Sequence, residues 1–487
     1  MIKIGLLASI LASCVPSEST STKKLIVLQG QSNCAQMTPG VNVGLDAAYP
    51  NVLMYEETAG AGPADPPVFT TEGPRSLAPR LVDFSGAFGI GTGGVELSMG
   101  RYLDTNGSST YYIAKQAIDG SSLVNNWANA AYPTTGGSMM ARSIAFIEAR
   151  MTAWNITSGT DVTLIWIQGE ADGGQSYATY LASLDTYFST LRATLGNIKV
   201  IIVRTMDIVD TVANVRAAQE SYCAVEANNA RIYRLDDQTL RDTAHWDDDS
   251  TVNIGNGLGQ LVLDMEEGTA RTSPYIAAVG PITTVASTTS PTATMPAHQA
   301  NDILAYTLIG NGTNNFATPA GWSEITDSPQ AGGGLNPRVQ VWWKRATDAA
   351  TASPTITDVA SDGSKSVFIL VIRGCAISGN PFDVTAGDTA ATSTSVSIPG
   401  DTSTVANGLA VGWLAGVVDL AAPQLGDWTN GDLTSLEGQV NFSSTSGAGV
   451  TAGVFSGRKA TAGAFGATTA TLTTTSAQAR LMVVFKS

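Results

Sequence analysis

The sequence predicts an α/β domain built on a parallel sheet, followed by an all-β sandwich. Two observations carry that expectation. Up to about residue 267, short apolar runs alternate with segments of helical spacing. Beyond about residue 269, helical periodicity stops and β-rich runs recur between Pro, Thr, Ser, Gly and Ala. Strands alternating with helices imply a parallel sheet covered on both faces. Many short strands punctuated by turns imply a sandwich.

Taken in order, residues 1–23 form a leader and tether, 24–270 the α/β domain and 271–487 the accessory β domain. The leader has one early cation, Lys3, then an apolar run ending in Leu11-Ala12-Ser13-Cys14, as an export signal would. The last four residues resemble a bacterial lipobox, which makes Cys14 a candidate for acylation and membrane attachment. An uncleaved hydrophobic N-terminus is the alternative. In the α/β domain the strand candidates are residues 25–28, 111–117, 162–167, 200–204 and 231–235. Helical faces are carried by Ile144, Ile147 and Met151, and by Leu181, Leu184, Phe188 and Leu191. In the β domain the runs are 303–308, 339–343, 367–372, 409–414 and 481–485. Trp322, Trp342 and Trp343 pose a choice there between sugar-stacking faces and core.

The composition excludes some functions. A formal net charge of −15 argues against nucleic acid as a partner, because phosphate backbones need basic patches. No pair of cysteines has CxxC spacing, so neither a zinc ribbon nor a thioredoxin-type centre is expected, and no metal or cofactor is assigned. Cys34 and Cys223 are read as a disulfide or as two separate buried thiols.

The chemistry-bearing residues follow strand candidates, at the edge where parallel sheets gather reactive groups. Ser32 lies in Gly30-Gln31-Ser32-Asn33, directly after the first apolar run. The chain has only two histidines, and His245 lies in Asp242-Thr243-Ala244-His245. A nucleophilic serine needs a base to take its proton and a carboxylate to orient that base. Ser32, His245 and Asp242 supply these three groups. The second histidine, His298, falls in the β domain and is given no catalytic role.

Two further motifs lie between them. Ala117-Ile118-Asp119-Gly120-Ser121-Ser122 leads to Trp127, and Trp166-Ile167-Gln168-Gly169-Glu170-Ala171-Asp172 follows the third apolar run. Together the four motifs resemble the SGNH hydrolase superfamily, in its sialate O-acetylesterase-like branch of carbohydrate esterases. Gly94-Val95-Glu96-Leu97 resembles a further Gly-Pro-Glu-Leu segment of that branch, with valine in place of proline. The resemblance implies a flavodoxin-like three-layer α/β/α domain and hydrolysis of O-acetyl esters on a glycan without a cofactor. It implies oxyanion donors at the backbone N–H groups of Ser32 and Gly120 and the side-chain amide of Gln168. Each such donor is worth about 3–4 kcal/mol in the transition state. Gln31 and Asn33 would flank the nucleophile, and Gly169 and Glu170 would support the third block. Asp119 departs from the pattern, standing where the family often has glycine. Loosely, the β domain resembles accessory modules of phage structural and secreted bacterial proteins. The expected setting is therefore an exported, envelope-attached or extracellular protein, or alternatively a virion component that adheres to a host glycan.

Overall fold

In a computed structural model of the chain, the described residues are 22–35, 49–59, 69–77, 94–131, 133–134, 137–206, 212–235, 238, 240–241, 245–267, 273–285, 290–312, 316–331, 337–356, 363–420, 424–446 and 449–487. Cys14 and Asp242 lie outside them.

The first seven main strands form one sheet. They are β1 (Lys23–Gly30), β2 (Tyr49–Ala59), β3 (Phe69–Leu77), β4 (Thr110–Ile118), β5 (Val162–Ile167), β6 (Lys199–Val203) and β7 (Ala230–Tyr233), in the spatial order β3-β2-β4-β1-β5-β6-β7. Every pairing is parallel except β2 with β3. Taken alone, β4-β1-β5-β6-β7 has the doubly wound order 2-1-3-4-5. The sequence reading left 49–59 and 69–77 unassigned. The backbone instead adds them to the sheet beside β4.

Alternation along the strands explains the layers. Leu25, Val27, Leu164, Trp166, Val200 and Ile202 face helices α3 (Met139–Trp154), α4 (Tyr177–Leu195) and α5 (Ala213–Ala224). Their neighbours Ile26, Leu28, Ile165, Ile201 and Val203 face α2 (Val95–Asn106) and α6 (Asp248–Glu266). Both sheet faces are therefore buried, which is why these strands read as continuous apolar runs. Each such side chain contributes about 1.5–3 kcal/mol of burial. The α3 and α4 stripes named from the sequence lie on this core, with Ile147, Leu184, Phe188 and Leu191 fully buried.

Among the described residues the C-terminal half holds a two-stranded antiparallel sheet, Thr402–Ser403 with Gly463–Ala464, and two large antiparallel sheets. In one, β8 (Tyr275–Val279), β11 (Lys365–Arg373), β9 (Ile303–Asn311) and β10 (Pro337–Arg345) lie in that order. In the other the order is β12 (Phe382–Ile398), β16 (Thr468–Phe485), β13 (Gly408–Gly416), β15 (Val450–Lys459), β14 (Thr434–Ser444). Ile303, Val341, Leu370, Val411, Trp413 and Val483 share the core between them. Trp342 and Trp322 are buried against Tyr306, and Trp343 packs on Phe382, so these three tryptophans are packing residues. His298 is likewise satisfied: its Nδ1 donates to the Pro296 carbonyl at 2.9 Å and its Nε2 accepts the Thr351 N–H at 3.2 Å.

A buried ion cluster joins the halves. Glu220 pairs with Arg204 at 2.9 Å and with Arg234 at 2.6 Å. Arg204 also donates to the Gly438 carbonyl at 3.3 Å, and Arg234 to the Ile276 carbonyl at 3.1 Å.

Candidate functional site

The site residues gather where β1, β4 and β5 end. Gly30 closes β1 with φ +155°, and a Cβ on it would fall 1.8 Å from the Ile167 carbonyl oxygen. Only glycine brings these two strand ends so close. The Gln31 N–H then donates to that same carbonyl at 3.0 Å, and Ser32 opens the one-turn helix α1 (Ser32–Ala35). Ser32 is partly exposed while Gln31, Asn33 and Cys34 around it are buried.

Both flanking residues tie this turn to the one after β5. The Gln31 side-chain oxygen accepts from Gln168 Nε2 at 3.1 Å, from the Ala171 N–H at 3.2 Å and from the Gly169 N–H at 3.4 Å. Asn33 donates from Nδ2 to Glu170 Oε1 at 3.2 Å. The other carboxylate oxygen of Glu170 is enclosed and has no hydrogen-bond partner among the described residues. Burial accordingly pushes the Glu170 carboxyl above the usual carboxylate range, while the Asn33 bond and the His245 charge draw it back. Cys34 is a free thiol that burial raises to about 12. Cys223 and Cys375 are also free, so the separate-thiol alternative holds.

Beneath the turn, Lys115 pairs with Glu96 at 3.3 Å, both fully enclosed. Glu96 Oε1 also accepts the Gly94 N–H at 3.1 Å, which seats the start of α2. This gives the Gly94–Leu97 motif a structural role.

After β4 the chain turns through Asp119 and Gly120, the latter at φ +63° and exposed. Asp172 holds the segment that follows. Its carboxylate accepts the Ser122 hydroxyl and the Leu123 N–H, each at 2.6 Å, and the Val124 N–H at 3.3 Å. It also accepts Gln168 Nε2 at 2.6 Å.

The Gln168 side chain ties the two turns together. Its amide nitrogen faces three acceptors, Asp172, Gln31 and the Ser121 carbonyl, and its oxygen accepts the Tyr180 hydroxyl at 2.9 Å. With the side chain 1 % exposed, both amide hydrogens are committed. Gln168 therefore braces the two turns.

His245 is partly exposed, and its neighbour Trp246 pairs with Leu240. Its charge acts on both Asp119 and Glu170, which places the imidazole beside the turns after β4 and β5. Asp119 is raised above the usual carboxylate range by burial, against the pull of His245. Asp242 falls outside the described residues. Thus Gln31, Asn33, Gln168, Gly169 and Glu170 form one bonded unit around Ser32, with His245 and the Gly120 turn beside it. The sequence reading missed the Lys115–Glu96 pair. Its signal was a lysine inside an apolar strand.

No curated protein matches this chain. Among solved structures it is similar to a protein of Arabidopsis thaliana (17 % identity, TM-score 0.37, covering 50 % of this chain and 98 % of that one). It is also similar to a carbohydrate acetylesterase from Xanthomonas citri (14 %, 0.36, 72 % and 78 %) and to a tail fibre protein of an E. coli phage (11 %, 0.28, 96 % and 69 %). At TM-scores this low, those likenesses carry no inference about function. Residues 22–264 match the family model described as carbohydrate esterase, sialic acid-specific acetylesterase, and through that half the chain belongs to this family of carbohydrate esterases.

Proposed function

We propose that the chain is a serine esterase of the SGNH type that removes O-acetyl groups from carbohydrate through an acyl-enzyme. Ser32 Oγ attacks the ester carbonyl as His245 takes its proton. The tetrahedral intermediate then collapses, and His245 returns that proton to the departing sugar hydroxyl. Water, deprotonated by the same imidazole, releases acetate and restores Ser32. Asp242 orients His245. The Ser32 and Gly120 N–H groups receive the oxyanion, with Gln168 fixing the turns that carry them.

The observation that supports this reading best is the position of His245. Its charge reaches Asp119, next to Gly120, and Glu170, which Asn33 bonds beside Ser32. On this reading His245, the Ser32 turn and the Gly120 turn work together at one edge of the sheet. Acetate release from a panel of acetylated glycans tests it. Ser32→Ala is expected to cut kcat by about 10⁵- to 10⁶-fold. A Ser32→Ala protein that keeps the wild-type rate would remove the proposal.

We also propose export, with the protein held at an envelope through acylated Cys14 or built into a virion. Mass spectrometry of the mature N-terminus separates the two: a diacylglyceryl-modified Cys14 marks the envelope, an intact Met1 on particles the virion.

A further inference from the structure

Between the halves runs a groove that the proposed mechanism does not use. One wall is Met206 and Leu235, which follow β6 and β7. The other is Leu425, Asp427, Trp428 and Leu436 from the C-terminal half. Its cavity measures about 150 Å³, room for about five waters at roughly 30 Å³ each, the scale of a sugar ring.

Its position follows from the sheet. Met206 and Leu235 lie past the carboxyl ends of their strands, at the same edge as Ser32. In the order β1-β5-β6-β7, β6 is two strands from β1 and β7 is three. At about 4.8 Å per strand, the groove lies roughly 10–14 Å along that edge from Ser32. A polymer whose acetyl group sat at Ser32 would reach it within a few sugar units.

Its chemistry suits a sugar. Trp428 is half-buried, backed by the Phe455 ring at 5.1 Å and seated over Gly453, where a Cβ would meet the indole at 2.9 Å. The indole is therefore held as a rigid platform, and apolar sugar faces stack on such rings. Asp427 is exposed beside it as an acceptor for sugar hydroxyls. Asn441 donates to the Leu425 carbonyl at 2.8 Å and accepts the Leu425 N–H at 3.3 Å, which fixes the loop carrying both. The Arg204 bond to Gly438 and the Arg234–Glu437 pair at 3.5 Å hold the strand behind them against the sheet edge. The groove is thus formed before any ligand arrives.

The geometry points to a carbohydrate-binding subsite: a sugar unit of a polymeric substrate stacks on Trp428 while a neighbouring unit presents its ester to Ser32. This rests on the esterase proposal and adds that the substrate is a chain of sugars gripped by both halves of the protein.

The test compares p-nitrophenyl acetate with whichever of acetylated xylan or acetylated glucomannan the full-length wild type deacetylates faster. Trp428→Ala is expected to lower the ratio of polymer to small-ester kcat/KM by about tenfold, through KM. Asp427→Ala, which removes an exposed side chain and no packing, is expected to shift that ratio the same way. An unchanged ratio in both variants would overturn the subsite. So would a wild type that hydrolyses the small ester and neither polymer. Ser32→Ala keeps the two claims apart: if it retains activity on p-nitrophenyl acetate, the esterase proposal fails whatever Trp428 does. If it loses that activity while the Trp428→Ala and Asp427→Ala ratios stay at the wild-type value, only the subsite fails.

Discussion

Replacing Asp172 by asparagine tests whether one buried carboxylate sets the Gly120 turn, the proposed oxyanion site. The wild-type side chain accepts four hydrogen bonds, from the Ser122 hydroxyl, the Leu123 and Val124 N–H groups and Gln168 Nε2. Asparagine keeps one acceptor oxygen and turns an NH₂ toward at least one of those donors. At least one short bond, to Leu123 and Gln168 on one oxygen or to Ser122 on the other, is lost whichever way the amide faces. Bonds to a charged acceptor are worth about 1.5–3 kcal/mol each, and an orphaned buried donor adds about 1–3 kcal/mol. A loss of roughly 3–5 kcal/mol of stability is therefore expected, a fall in Tm on the order of 10 °C. The catalytic effect has a different origin. On the proposed mechanism, in which the Gly120 N–H receives the oxyanion, releasing Ser122 two residues on lets that N–H drift, and a misaligned donor costs about 10²-fold in kcat. Thermal denaturation followed by circular dichroism reads the first effect, and acetate-release kinetics below the melting range read the second. A variant that melts within about 2 °C of wild type and keeps its kcat would refute the reasoning.

Three further predictions follow from the same geometry. Glu170→Gln keeps the Asn33 bond and removes a carboxylate that burial disfavours as an anion. The raised folded pKa means wild-type stability from this group is full at acid pH and lost as pH rises through it, so the variant matches wild type near pH 4 and gains on it by pH 8 in urea denaturation. A gap that does not change with pH would contradict this. Gly30→Ala forces a Cβ onto the Ile167 carbonyl at a φ that disfavours side chains, and denaturant titration is expected to show a loss of roughly 2–6 kcal/mol. Glu220→Gln leaves Arg204 and Arg234 buried with their shared charge gone, a loss of about 3–5 kcal/mol by calorimetry.

The central strands were legible because their side chains are buried on both faces. Ile165 and Trp166 are adjacent and both 0 % exposed, so the run 162–167 shows no polar alternation to confuse it with a surface strand. β12 was invisible for the opposite reason. Its Thr, Ser, Ala and Gly residues are mostly half-exposed, and main-chain pairing with β16 holds it in place. That Ser32, Gly120 and Gln168 each lie just past a strand end was legible because apolar runs mark those strands. What each polar group bonds to was not. Nothing in Gln-Gly-Glu reveals that Asp172, four residues on, accepts from the Gln168 amide. The tryptophans divide by setting: Trp342 and Trp343 lie on a strand whose two faces are both packed, which is the core alternative, whereas Trp428 stands in an aperiodic stretch.

Only 14 % of this chain is charged, yet several of its charges are buried close to one edge of the parallel sheet. Lys115 with Glu96 lies under the Ser32 turn, Asp172 grips the segment after Gly120, and Glu220 with Arg204 and Arg234 locks the C-terminal half beside β6 and β7. Buried charge is a poor way to gain stability, since well-packed apolar groups often serve as well or better. What it supplies is direction: a carboxylate demands particular donors at particular angles, where an apolar side chain accepts many packings. An ester-hydrolysing site needs its donors in place before the oxyanion forms, because reorganising them during the reaction would raise the barrier. On the proposed mechanism, charges sunk behind the turns, instead of pointing into the cleft, meet that need without adding negative charge beside the developing oxyanion. Asp119 is the exception: it adjoins Gly120, and burial and the neighbouring His245 pull its carboxyl in opposite directions.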